Sequence, residues 1–146
     1  MKYHIVSGDF EFTGKEKNII LWDSFFEDEK NNIISITSCV EKKPSIYRQK
    51  FYDLVFEISR KKIRDKLLLD YLNIEKELSF FWFTNIGQRD NISQFPELND
   101  IIKSFCLIEI IGGGGIQEMH LEISQKNIYN QIKSICASKN IKITFK

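Results

Sequence analysis

The sequence predicts an α/β fold: a parallel sheet flanked by helices, with an all-helical central segment. Two observations carry this. Residues 118–145 read as strand, helix, strand with short joints, and a clean amphipathic helix runs through residues 47–58. A strand–helix–strand unit of this kind is expected to be parallel and right-handed. The 146 residues suit one domain, or one half of a two-domain enzyme. A chain of this size buries about 70% of its unfolded surface, so it needs no disulfide or metal staple.

Taken in order, residues 2–6 and 18–22 form short strands, and the second ends at Trp22-Asp23, where the chain turns acidic through Glu27, Asp28 and Glu29. An apolar strand running into an acidic loop is where α/β folds place chemistry, which makes Asp23 a weak catalytic candidate. Its plainer role is a loop or helix-capping aspartate. Asn31-Asn32 marks a turn, and Ile33 to Thr37 is a third strand. Pro44 opens a helix whose Tyr47, Phe51, Leu54, Val55 and Ile58 share one face. A second, short helix is expected from near Asp65 to Asn73, carrying Leu67, Leu68, Leu69, Tyr71 and Leu72.

Phe80, Phe81, Trp82 and Phe83 then stand in four consecutive positions. With Ser79 as N-cap, a helical reading puts Trp82, Phe83 and Ile86 on one face and Phe81, Thr84 and Gln88 on the other. A helix apolar nearly all round is buried nearly all round, so Thr84 and Gln88 need partners from protein, water or a ligand. Pro96 precedes a long apolar helix from Glu97 to Ile111, ended by Gly112 to Gly115. No Gly-Lys-Ser/Thr follows the glycines, so they read as a helix end and linker, not as a phosphate loop.

In the last third, Met119, Leu121 and Ile123 alternate with Glu118, His120 and Glu122 along a strand. Ser124 is expected to cap a helix presenting Ile128, Ile132, Ile135 and Cys136, and Asn140 stops it before Ile141, Ile143 and Phe145 alternate along another strand. His120 sits on the polar side of its strand, where a lone histidine is an ordinary surface residue.

A net charge of +1 argues against a dominant electrostatic footprint for nucleic acid, and leaves room only for a local patch. The basic runs Lys42-Lys43 and Arg60-Lys61-Lys62 read as solvated helix ends. Cys39, Cys106 and Cys136 are far apart, with no CxxC pair and no His/Cys cluster, so reduced thiols and no metal are expected, as in a cytoplasmic protein. No segment has the length of apolar sequence needed to span a membrane, which leaves a peripheral association with the inner membrane as the one open to it.

Ser79-Phe80-Phe81-Trp82-Phe83-Thr84 followed by Gln88-Arg89 resembles the signature of a family of bacterial surface carbohydrate biosynthesis proteins, which has a Ser-Phe-Trp-Trp-x-Thr-like run and then a Glu-Lys pair. Trp22-Asp23 ending an early strand, Arg48 and Tyr52 on a helix, and the closing strand–helix–strand unit agree with it. The resemblance extends over residues 18–145, with the specific block at 79–89. It implies a Rossmann-like fold and a glycosyltransferase of the GT-B kind, built from two such halves and serving O-antigen or capsule assembly. This chain is then the N-terminal, acceptor-side half. The implied partners are a CMP- or UDP-sugar donor as substrate, with no further cofactor, and a glycan or lipid-linked oligosaccharide acceptor. The missing partner is the C-terminal domain. Trp82 is expected to stack on a sugar ring, Thr84 and Gln88 to bond its hydroxyls, and Arg89 to hold an anionic group. The family pattern places Trp at Phe81, Glu at Gln88 and Lys at Arg89. Gln88 occupies the position of a candidate catalytic carboxylate, but an amide cannot act as a general base. The competing reading is a non-catalytic α/β binding or interaction module whose aromatic stretch is core.

Overall fold

The computed structural model of the chain describes residues 1–8, 10–75, 78–84 and 96–145. In chain order the elements are β1 (Lys2–Val6), β2 (Ile19–Leu21), β3 (Ile33–Ser35), α1 (Ile36–Lys42), α2 (Pro44–Ser59), β4 (Lys62–Ile63), β5 (Lys66–Leu67), α3 (Leu68–Tyr71), β6 (Asn73–Glu75), β7 (Leu78–Ser79), a 3-10 turn (Phe80–Phe83), α4 (Pro96–Gly112), β8 (Glu118–Glu122), α5 (Lys126–Ser138) and β9 (Lys142–Phe145). They divide into two compact units, Met1–Pro44 with Lys103–Lys146, and Ser45–Ile102.

The first unit is built on a five-stranded sheet in the order β3-β2-β1-β8-β9, with all neighbours parallel. Helices flank it, and the arrangement is Rossmann-like. The chain moves outward from β1 through β2 to β3, then returns to place β8 on the other side of β1 and moves outward again to β9. The topological switch point therefore lies between β1 and β8. Side-chain alternation gives the two sheet faces different characters. Tyr3, Ile5, Ile20, Met119 and Leu121 are buried on one face, where Cys136 of α5 meets Met119 sulfur to sulfur at 3.4 Å. On the other face the β1–β3 side is apolar: Ile19, Leu21 and Ile33 form a cluster with Val6, and Phe10 and Phe12 of the β1–β2 connection close over it. The β8–β9 side of that same face is polar. Its rows are Lys2–Glu118–Lys142 and His4–His120–Thr144 in register.

Within α5, Ile128, Ile132, Ile135 and Cys136 are all buried, the stripe that the sequence spacing predicts. The helix begins at Lys126 with Gln125 in the cap position and no side-chain cap, so the expected cap at Ser124 is displaced and Ser124 is exposed. Asn140 takes a left-handed conformation (φ 55°) where the chain leaves the helix. Burial pushes the Cys136 thiol up to about 11, which leaves it an inert core group. Cys39, Cys106 and Cys136 are all free thiols.

The expected strand Ile33 to Thr37 stops early. Ser35 is completely buried, and its hydroxyl accepts from the Ser38 N–H at 3.0 Å and donates to the Ser24 carbonyl at 2.6 Å. That cap turns β-branched Ile36 and Thr37 into the first turn of α1, overriding their strand preference. Ser35→Ala removes the cap and leaves the Ser38 donor unmet, so it is expected to lower stability by about 1–2 kcal/mol in a urea titration.

In the second unit, α2 buries Tyr47, Phe51 and Val55 as expected, with Leu54 and Ile58 half-buried. The central segment is not all helical. β4 and β5 form an antiparallel pair, as do β6 and β7. The helix expected over 65–73 is reduced to the single turn α3 because Arg64 and Asp65 both hold positive φ (48° and 68°) and close the β4–β5 hairpin. Two left-handed residues are the geometry of a tight hairpin, which Asn-Gly usually signals and Arg-Asp does not. The aromatic run likewise forms one 3-10 turn after β7 in place of a buried helix. Ser79 is its N-cap, as predicted, accepting from the Phe81 N–H at 3.3 Å. Aromatic residues have poor helix propensity, and a turn with three residues per revolution sends successive rings in different directions. Phe81 is buried, Trp82 is half-buried and Phe80 is 53% exposed.

Among the described residues no helix is long and apolar enough to cross a membrane.

Candidate functional site

The carboxyl ends of β1 and β8 flank the switch point, and polar residues follow the ends of β1, β2 and β8. β1 runs out into Ser7-Gly8, β2 into Trp22-Asp23, and β8 into Ile123-Ser124. Open α/β sheets bind ligands at this place because adjacent strands there send their loops to opposite sides and leave a crevice.

Asp23 is the best-anchored group in the region. Its Oδ1 accepts from Lys103 Nζ at 2.8 Å, and its Oδ2 accepts from the Gly8 N–H at 3.1 Å. Lys103 lies 80 residues on in sequence, and its side chain is only 8% exposed, while that of Asp23 is 37% exposed. The ammonium also stands 5.8 Å from the centre of the Trp22 ring, within cation–π range. Gly8 has φ +100°, a conformation that an L side chain rarely takes, and it turns its N–H onto Asp23. With one oxygen on the lysine and the other on the backbone, Asp23 acts through position: it fixes the start of the β1–β2 connection beside the crevice.

The crevice itself has a volume of about 340 Å³ and is lined by Ser7 from the end of β1, Glu122 and Ser124 from the end of β8, Tyr129 from α5, and Phe145 from β9. The Ser7 N–H donates to the Glu122 carbonyl at 3.2 Å and continues the β1–β8 ladder one residue past β1. The Ser7 hydroxyl oxygen is shielded from solvent and has no hydrogen-bond partner among the described residues. A hydroxyl left so costs about 1–3 kcal/mol, which a ligand or water that reaches it restores. Tyr129 and Phe145 stand edge to face, ring centres 6.5 Å apart at 89°, along one wall.

Trp82 and Thr84, singled out by the family resemblance, belong to the second unit. Trp82 meets Phe81 edge to face at 5.1 Å, and the Thr84 hydroxyl donates to the Phe81 carbonyl at 2.7 Å, closing the 3-10 turn. Gln88 and Arg89, with Ile86, lie outside the described residues. Of the crevice residues, neither Ser7 nor Tyr129 stands out in the sequence, and Phe145, Glu122 and Ser124 read only as strand and cap positions. One local signal does point there: a predicted strand running directly into Ser7-Gly8, the small, permissive pair expected where a backbone turns sharply at a strand end.

The second polar cluster of the sheet unit is the pair His4 and His120, neighbours in register with rings 5.1 Å apart. His120 Nδ1 lies 3.1 Å from the Thr144 hydroxyl. Partial burial holds His4 below the usual histidine range, the positive charges of His120 and Lys2 push it the same way, and Glu122 opposes them. A histidine with a depressed folded value binds fewer protons folded than unfolded. Its stabilising contribution is full above the unfolded value, about 6.5, and is lost as pH falls from there through the folded value. Urea midpoints of the wild type are therefore expected to fall between pH 7.5 and pH 5 (conditions spanning about one unit or more on each side of that value) by more than those of His4→Gln.

No family model, curated protein or solved structure matches the chain.

Proposed function

We propose that this chain is the acceptor-side half of a glycosyltransferase in surface polysaccharide assembly, working with a nucleotide-sugar held by a C-terminal domain. The observation that carries the reading is the crevice at the switch point of a Rossmann-like sheet, lined by hydroxyls, one carboxylate and two aromatic rings. In the transfer, an acceptor hydroxyl oxygen bonds to the anomeric carbon of the donor, the bond from that carbon to the nucleotide phosphate breaks, and the hydroxyl proton passes to a base. In this reading Asp23 anchors the loop beside the acceptor, and Gln88 offers a hydrogen bond but no basic lone pair. Attachment to the inner membrane, where lipid-linked acceptors reside, is peripheral in this reading.

Thermal shift of the purified chain against CMP- and UDP-sugars and short surface-glycan acceptors tests it. An acceptor at ten times its Kd stabilises the folded state by about 1.4 kcal/mol, a shift of several degrees. Stabilisation by glycans, with none from nucleotide-sugars, is the expected result. A nucleotide-sugar that stabilises the wild type but not Arg89→Ala would put the donor site in this chain and overturn the acceptor-side assignment. A well-folded sample that responds to neither leaves the second reading, a non-catalytic interaction module. Burial of Phe81 against Trp82 favours that reading, because it gives the aromatic run a packing role without any ligand.

A further inference from the structure

We infer that the crevice at the carboxyl ends of β1, β8 and β9 is a subsite for a single uncharged, hydroxyl-bearing ring, a pyranose unit of a glycan. This names the ligand class within the proposed acceptor role and rests on that role for its biological sense, though not for its test.

Size is the first argument. Small-molecule pockets span roughly 300–1,000 Å³, and at about 340 Å³ this one has room for one ring with its hydroxyls. Charge is the second. Among the described residues lining it, Glu122 carries the one formal charge and there is no lysine or arginine. A carboxylate only accepts hydrogen bonds, so it pairs with ligand hydroxyls and repels a phosphate or a uronate. Complementarity is the third. Ser7, Ser124 and Tyr129 each bring a hydroxyl able to donate or accept, the same dual capacity a sugar hydroxyl has. The Ser7 oxygen is shielded from solvent and lacks a partner among the described residues, so a rotation of its side chain into the crevice is what lets a ligand hydroxyl give it one.

The aromatic wall supplies the apolar part of recognition. A pyranose presents a face of C–H groups, weakly positive and poorly hydrated, that suits the negative face of an aromatic ring. Phe145 is 70% exposed and Tyr129 meets it edge to face, so the pair offers a ring face to the crevice without losing core packing. The competing ligand is inorganic phosphate, because α5 begins two residues beyond Ser124 and a helix start attracts anions.

The experiment uses the full chain and methyl hexopyranosides of the gluco, galacto, manno and N-acetylglucosamine series, read by saturation-transfer NMR and by the ring signals of Tyr129 and Phe145. Inorganic phosphate and UMP are run beside them. At least one pyranoside is expected to bind and to move those ring signals. Phe145→Ala and Glu122→Gln, both at exposed positions, are expected to keep the wild-type melting temperature and to raise Kd about tenfold. Binding that both variants retain, saturation transfer to phosphate-bearing ligands alone, or no pyranoside signal at tens of millimolar would overturn the assignment. Pyranoside binding without sugar transfer, when nucleotide-sugars and the donor half are supplied, would remove the transferase reading and leave the subsite standing.

Discussion

Trp22→Ala is expected to lower the unfolding free energy by about 3–5 kcal/mol, the largest loss from any single truncation in the sheet unit. Trp22 is completely buried, and it sits where β2 ends. Its N–H extends the sheet by donating to the Val6 carbonyl at 2.9 Å, and its carbonyl accepts from the Thr37 hydroxyl of α1 at 3.1 Å. Those backbone bonds survive the substitution. What is lost is the contact of a large ring with its surroundings, together with the cavity left behind, since a close-packed interior collapses only in part. A domain with roughly 5–15 kcal/mol of total stability is brought close to unfolding, and the melting temperature should drop by roughly 10 °C or more. Trp22→Phe keeps most of the apolar volume and is expected to lose less than half as much. Equal losses for the two variants in a urea titration would mean that the indole N–H, not ring volume, is what matters.

The second large effect is an asymmetry. Asp23→Ala is expected to cost about 2–3 kcal/mol, and Lys103→Met about 1 kcal/mol or less. The geometry of the pair is symmetrical, 2.8 Å from nitrogen to oxygen, but its exposure is not. Removing Asp23 leaves an ammonium that has almost no access to water, and also frees the Gly8 N–H. Removing Lys103 leaves a carboxylate that reaches solvent and still holds Gly8, while methionine fills the buried volume of the lysine stem. Because Asp23 is more than a third exposed, the full penalty of breaking a wholly buried pair does not apply to it. Melting curves of the two single variants and the double variant measure this directly. A double variant close to Lys103→Met alone is the expected result. If Lys103→Met proves the more damaging, the pair does not derive its worth from the buried cation.

The parts of this molecule that the sequence determines by itself are those whose signal is local. The stripes of α2 and α5 and the alternation in β8 are fixed by which residues fall every third or fourth, or every second, position. A sequence carries that information within a dozen residues. The Ser79 cap is legible for the same reason, since donor and acceptor are two residues apart. Where local signals conflict, the sequence misleads. Ser35-Ile36-Thr37 has strand-forming side chains, and one buried hydroxyl with two partners turns it into a helix. Arg64-Asp65 carries no glycine, and the left-handed turn forms because pairing of β4 with β5 holds it in place.

The order of the sheet and everything that depends on it were decided only by the tertiary structure. Short apolar strands do not specify their neighbours, because a strand's hydrogen bonds are made by the backbone and any partner of matching pattern can supply them. Only when β8 inserts beside β1 does a switch point exist. Only then do Ser7, Glu122, Ser124, Tyr129 and Phe145, spread from one end of the chain to the other, form the walls of one crevice. The joining of Asp23 to Lys103 across 80 residues is of the same kind. Spacing in sequence gives no measure of such contacts, since closing a long loop costs only slightly more than closing a short one. Packing of the sheet decides which of them form.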